Sequence, residues 1–102
     1  MSTFTIAGHP VGRGARPFVI AEIGSNHNGS MELCYQLIDA AAGCGAHAVK
    51  FQSWSSSSLV GKAEYARNTR YDDTKKHFGT LEAMVEAYQF TPEMHRLALA
   101  RC

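Results

Sequence analysis

An α/β fold that opens with a parallel βαβ unit is what this sequence predicts, and three observations carry the prediction. Phe18 to Ile23 (FVIAEI) is a short run, apolar except for Glu22 and closed by Gly24, as befits a strand buried on both faces of a parallel sheet. From Ser30 to Gly43 the apolar residues fall on one helical stripe. Ala46 to Trp54 (AHAVKFQSW) is then a second strand-like run. Strand, helix and strand in that order make a parallel unit whose crossover is almost always right-handed.

The elements follow in order. Residues 3–7 (TFTIA) predict a short strand, and GHPVGRGARP after them a Gly/Pro turn and linker, so residues 1–17 form an N-terminal strand and turn segment. After the first long strand comes Asn26-His27-Asn28-Gly29, a polar turn before a helix. Ser30 suits the N-cap and Glu32 the positive first turn. Leu33, Cys34, Leu37, Ile38 and Ala41 make the buried stripe, and Gly43 and Gly45 end it. From about Ser55 to Gly79 no clean period survives. Four serines, Ser55 to Ser58, lead into a polar stretch carrying Lys62, Arg67, Arg70, Lys75 and Lys76 against Glu64, Asp72 and Asp73. A loop that long inside a compact domain points to function or partial disorder. Two helical pieces close the chain: Thr80 precedes Leu81, Met84, Val85 and Tyr88, and Thr91-Pro92-Glu93 is a helix start with Pro at the first position.

Composition bounds what the chain can be. Its 102 residues make one domain or part of one, and 45% apolar against 19% charged residues is the balance of a folded protein. A formal charge of +1 with no basic stripe argues against a nucleic-acid surface. No apolar run approaches the ~18–20 residues of a membrane span, and the N-terminus has no apolar core of a secretory signal. The three cysteines, Cys34, Cys44 and Cys102, show no C-x-x-C spacing. They read as buried or incidental thiols of a reducing, cytoplasmic setting.

The alternation of strand and helix stops after two strands, and two parallel strands cannot bury their own faces. Residues 18–102 therefore read as the first two βα units of an incomplete domain, the N-terminal βαβα portion of a (β/α)₈ TIM barrel of about 250 residues. A doubly wound sheet stands second.

Side chains alternate along a strand. Val49 and Phe51 share one face, and Ala48, Lys50 and Gln52 the other; Glu22 groups with Phe18 and Ile20. Glu22 and Lys50 thus converge at the C-terminal ends of adjacent strands, where α/β barrels place their active sites. From spacing alone a structural ion pair is the default reading, and the polar groups gathered at two strand ends favour chemistry. For Asn26-His27-Asn28-Gly29 the alternatives are plain turn chemistry or a substrate-contacting loop beside the helix N–H groups. His27 has no metal-ligand spacing with His47, His77 or His95. His47 belongs at a strand start, away from the site, and packing is the expected role of Trp54.

At these residues the sequence resembles a known family. FVIAEIGSNHNGSMELCYQLIDAAAGCGAHAVKFQSW closely resembles the N-terminal part of the sialic acid synthase (N-acetylneuraminate synthase) family, which includes legionaminate, pseudaminate and spore-coat polysaccharide relatives. The layout matches from Ile6 to Cys102, most closely from Phe18 to Gln52. The resemblance implies a TIM-barrel transferase that condenses phosphoenolpyruvate with an N-acylated amino sugar such as N-acetylmannosamine and releases phosphate, with a related nonulosonate as the alternative product. It implies Mn²⁺ or Mg²⁺ as cofactor, with ligands beyond residue 102, and a homodimer for the full-length protein. Carried over by position, Lys50 pairs with the anionic phosphoenolpyruvate, Glu22 and Gln52 lie at the sugar, and Asn26 and His27 line the same mouth. Glu22 and Lys50 are the expected catalytic residues. The serines at 55–58 depart from the charged residues of the family pattern. On this reading the 102 residues alone are inactive. The alternative of another class is a short non-catalytic module that hides its apolar strand faces in a partner.

Overall fold

The two strand-like runs pair, and everything else is arranged about that pair. The computed structural model describes residues 2–67 and 79–102. Its elements are β1 (Phe4–Ile6), β2 (His9–Val11), β3 (Ile20–Gly24), α1 (Met31–Gly43), β4 (Ala48–Phe51), α2 (Ser56–Leu59), α3 (Lys62–Arg67), α4 (Leu81–Ala87) and α5 (Pro92–Arg101). β3 and β4 are parallel, with Ile20 opposite Ala48, Ala21 opposite Val49 and Glu22 opposite Lys50. The register then slips, so that Gly24 faces Phe51. Gly24 makes the slip possible: its φ of 59° is left-handed backbone that a side chain would oppose.

The N-terminal segment differs from the expected strand and linker. His9–Val11 turns back on Phe4–Ile6 as an antiparallel hairpin, with Thr5 opposite Pro10. Pro10 is tolerated because a two-stranded ribbon has only edge strands. The segment is tied to the parallel pair by a ring stack, His47 lying 5.0 Å from Phe18 and 4.7 Å from His9.

α1 forms where the stripe predicts. Ser30 Oγ accepts the Leu33 N–H at 3.2 Å, and Glu32 stands in the first turn. After Cys44 the chain turns through Gly45, at φ 84°, and the Ala46 N–H reaches back to the Ala41 carbonyl. The stripe buries Cys34 and Ile38 against Ile23, Phe90 and Ala98, with Leu37, Val49, Phe51 and Met94 packed around them. Cys34 is thus a core thiol, and burial pushes its pKa up, with Cys102 adding to the shift. α5 lies along α1, where Arg101 forks onto Asp39, its Nε donating to Oδ1 at 2.9 Å. That pairing holds the Asp39 carboxyl below the usual range.

Both terminal helices start where expected, and each is capped by a threonine, Thr80 Oγ1 accepting from Ala83 N and Thr91 Oγ1 from Met94 N. Between β4 and α4, where no period was legible, the chain makes two short helices. Ser55 and Ser58 cap the first by a reciprocal box, and Tyr65 in α3 donates its hydroxyl to the Ser56 carbonyl at 2.6 Å. Arg70, Asp72, Asp73, Lys75, Lys76 and His77 lie outside the described residues. Among the described residues no helix is long and apolar enough to cross a membrane.

Candidate functional site

The face of the parallel pair opposite α1 and α5 carries the chemistry. Alternation sends Ile23, Val49 and Phe51 into the core and leaves Ile20, Glu22 and Lys50 exposed on the other side. Directly opposite each other in register, Glu22 and Lys50 form an ion pair, Nζ to Oε2 2.9 Å. Their side chains are 48% and 64% exposed. The pair lies outside the apolar core that packs beneath α1 and α5, so burial of apolar surface does not account for it.

Gln52 completes the group. Its backbone N–H donates to the Gly24 carbonyl at 3.3 Å, continuing the ladder past the slip. A Cβ built on Gly24 would lie 3.5 Å from Glu22 Oε1 and 3.7 Å from the Gln52 side-chain carbon. Carboxylate and amide therefore gather around one glycine at the C-terminal end of two parallel strands, and the Lys50 ammonium joins them through its bond to the carboxylate. The arrangement offers a cation to an anionic group, and a carboxylate and an amide to hydroxyls.

The loop after β3 is closely braced. Asn26 Nδ2 donates to the Ile23 carbonyl at 2.8 Å, folding the side chain back onto its own strand, and the exposed residue lines with Glu22 a groove between β3 and α1 that Lys50 and Gln52 do not line. His27 takes a different place from the one expected. Its ring lies beneath the mouth, fully buried, 5.0 Å from Phe90 and 6.4 Å from Phe51, rather than lining the opening. The turn rolls the residue after Asn26 inward, and an uncharged imidazole fits among the aromatic rings. Burial lowers its pKa.

Sequence spacing brought Glu22, Lys50 and Gln52 together correctly in space. It missed two features. Ser53 Oγ lies 2.5 Å from His95 Nε2, joining the end of β4 to the first turn of α5 across 42 residues, a separation no local pattern reveals. Gly29, at φ 77°, passes so close to the Ala87 carbonyl that a Cβ would clash with it. The Asn-Gly dipeptide signalled a turn, but only the fold shows what the turn touches. Trp54 packs as expected, its Nε1–H donating to the Val85 carbonyl at 2.8 Å. His47 stands just before β4, away from the group, where Nδ1 accepts the Val19 N–H.

Comparison with known proteins gives the group a setting. Residues 37–102 match the model of the NeuB family. The chain belongs to that family. Among NeuB-family relatives, it is 47% identical over 62 residues to the spore coat polysaccharide biosynthesis protein SpsE of Bacillus subtilis, 61% of this chain and 17% of that one. It is 37% identical over 92 residues to the N,N'-diacetyllegionaminic acid synthase of Legionella pneumophila, 86% of this chain and 24% of that one. The crystal structure of the B. subtilis SpsE protein superposes with a TM-score of 0.63 at 33% identity, over 99% of this chain and 25% of the other. The α/β arrangement is therefore a NeuB-family arrangement. The chain spans a quarter or less of the length of these relatives.

Among the described residues no group of three or more His, Cys, Asp or Glu stands together as a metal site. These residues do not provide for the divalent ion that the resemblance implies.

Proposed function

We propose that these residues are the opening βαβα portion of a (β/α)₈ synthase that joins phosphoenolpyruvate to an N-acylated amino sugar. The observation that carries the reading is the exposed Glu22–Lys50 pair, with Gln52, around Gly24 at the C-terminal strand ends. The uncovered face of the sheet, where Ile20 is 53% exposed, supports a barrel interior completed by further strands.

In the reaction, C3 of phosphoenolpyruvate attacks the sugar's aldehyde carbon, forming the new C–C bond, and the aldehyde oxygen gains a proton. C2, left electron-poor, takes water, which loses a proton. The resulting adduct expels inorganic phosphate by C–O cleavage and leaves a ketone at C2. Lys50, a flexible point charge, binds the anionic phosphoenolpyruvate, exchanging its bond to Glu22 for one to the substrate. Released from Lys50, Glu22 faces the sugar, where it helps move the proton that the aldehyde oxygen gains, and Gln52 hydrogen-bonds the sugar hydroxyls. Asn26 stands at the same rim. A divalent ion held by residues beyond 102, a homodimer and a cytoplasmic setting belong to the same proposal.

The names of the relatives favour the acceptor sugar of a legionaminate- or spore-coat-type synthase over N-acetylmannosamine. The test is phosphate release by the full-length enzyme from phosphoenolpyruvate with each of several N-acylated amino sugars, N-acetylmannosamine and a doubly N-acetylated sugar among them. Release that depends on one of these sugars is expected. No release with any of them would overturn the reading.

A further inference from the structure

We propose that His27 is a positioning residue, a neutral buried imidazole that fixes the Asn26–Gly29 turn and clamps it to the junction between α4 and α5, thereby setting where Glu22 and Asn26 stand at the mouth. The inference rests on the synthase reading for what the turn serves, and on the geometry alone for how the turn is held.

Five observations converge on this ring. His27 Nδ1 accepts the Gly29 N–H at 3.0 Å, an i to i+2 bond of the kind an Asx turn makes with a side-chain oxygen. The His27 carbonyl accepts the Ser30 N–H at 2.9 Å, so one residue ties both the turn and the N-cap of α1. Asn28 and Gly29 are successive left-handed residues, at φ 54° and 77°, a conformation that needs such bracing. The ring packs on Phe90 and Phe51, themselves stacked at 4.6 Å, which come from the two segments flanking the long connection. Finally, Gly29 meets the Ala87 carbonyl at the end of α4 with no room for a Cβ.

The chemistry of the ring follows from its bonds. Because Nδ1 accepts, the proton of the neutral imidazole sits on Nε2. Among the described residues Nε2 has no partner. A protonated ring would turn a donor toward the Gly29 N–H and break the turn. His27 therefore acts on Glu22 and Asn26 through the backbone, at a distance from the reacting atoms.

Two substitutions separate the two nitrogens. In His27→Asn, Oδ1 stands where Nδ1 stood and still accepts from Gly29. In His27→Gln, the amide nitrogen replaces Nε2 and the acceptor is lost. In the full-length enzyme, His27→Ala and His27→Gln are expected to lower kcat by about tenfold or more with KM for phosphoenolpyruvate little changed, since small misplacement at a site is costly. His27→Asn should recover most of kcat. Unchanged kcat in His27→Ala would overturn the proposal. So would recovery by Gln and not by Asn, or a rise in KM with kcat intact, either of which would put the ring on substrate. If His27→Ala does not fold, the Asn and Gln pair still decides. Amide exchange at Gly29 gives an independent check: protection is expected in the wild type and His27→Asn and lost in His27→Gln. A wild-type enzyme without synthase activity would sink the reaction reading, while unprotected Gly29 in the wild type would sink this one.

Discussion

The two faces of the β3–β4 pair are made by alternate residues of the same strands and obey different rules. On one, Ile23, Val49 and Phe51 meet Cys34, Ile38, Phe90 and Ala98, and burial of apolar surface accounts for every residue there. On the other, Glu22 and Lys50 pair in the open, beside an Ile20 that is half exposed. Burial explains the first face and leaves the second unexplained. The residues a fold does not need are the ones to question for function, and here they sit at the strand ends.

The comparison breaks first at Lys50. If the open face serves substrate alone, Lys50→Ala in the full-length enzyme should lower kcat/KM for phosphoenolpyruvate by about a hundredfold, the scale of losing a charged contact to an anion. Its melting temperature should fall less than that of a packed-face variant, because Lys50 stands at a strand end outside the apolar core. Glu22→Gln should lower turnover, again with the fold intact. Normal kinetics with lost stability in either variant would reverse the assignment and make the pair structural.

The packed face should behave in the opposite way. Ile38 is 4% exposed at the centre of the α1 stripe, so Ile38→Ala should cost about 2–5 kcal/mol of stability. Denaturant unfolding of the full-length protein measures it. Gly29→Ala belongs to the same class, because it adds a clash with the Ala87 carbonyl at a left-handed position, and a loss of about 1–3 kcal/mol is expected. A variant of either kind that kept its stability and lost only substrate affinity would erase the distinction between the faces.

Much of this division was legible before any coordinates. Period-2 alternation placed Glu22 and Lys50 on one side and Val49 and Phe51 on the other, and the Ser30 cap and the starts at Thr80 and Thr91 marked helices that the structure keeps. Family membership was legible too, in the joint occurrence of AEIG-x-NHNGS and AVKFQ. What stayed hidden depends on long-range packing. Nothing local distinguishes a His that lines a mouth from one rolled beneath it, and His27 is buried because Phe90, 63 residues on, comes back to cover it. The short helices α2 and α3 escaped notice because serine-rich and mixed-charge segments carry no apolar stripe, and a hydrogen-bonded cap box with the Tyr65 hydroxyl supplies the order instead. The partner strand β2 was hidden behind its proline.

The smallest effect expected is a pH dependence that belongs to the packed face alone. Burial holds the folded-state pKa of His27 below its ordinary 6.5. Between the two values the unfolded chain binds a proton that the folded chain refuses, so stability falls as pH falls through that window. Above about 6.5 both states are neutral and this contribution is fully present. Below the folded value both are charged and the loss levels off. Unfolding free energies measured from pH 8 down to 5 should therefore decline more steeply in the wild type than in His27→Asn, which keeps the turn acceptor and has nothing to titrate. The remaining histidines are common to both proteins and cancel in the difference. Lys50→Ala should leave that difference curve unchanged, since the open face takes no part in it. Parallel curves for the wild type and His27→Asn would mean that the ring beneath the mouth reaches water after all, and that the two faces are less separate than their packing makes them.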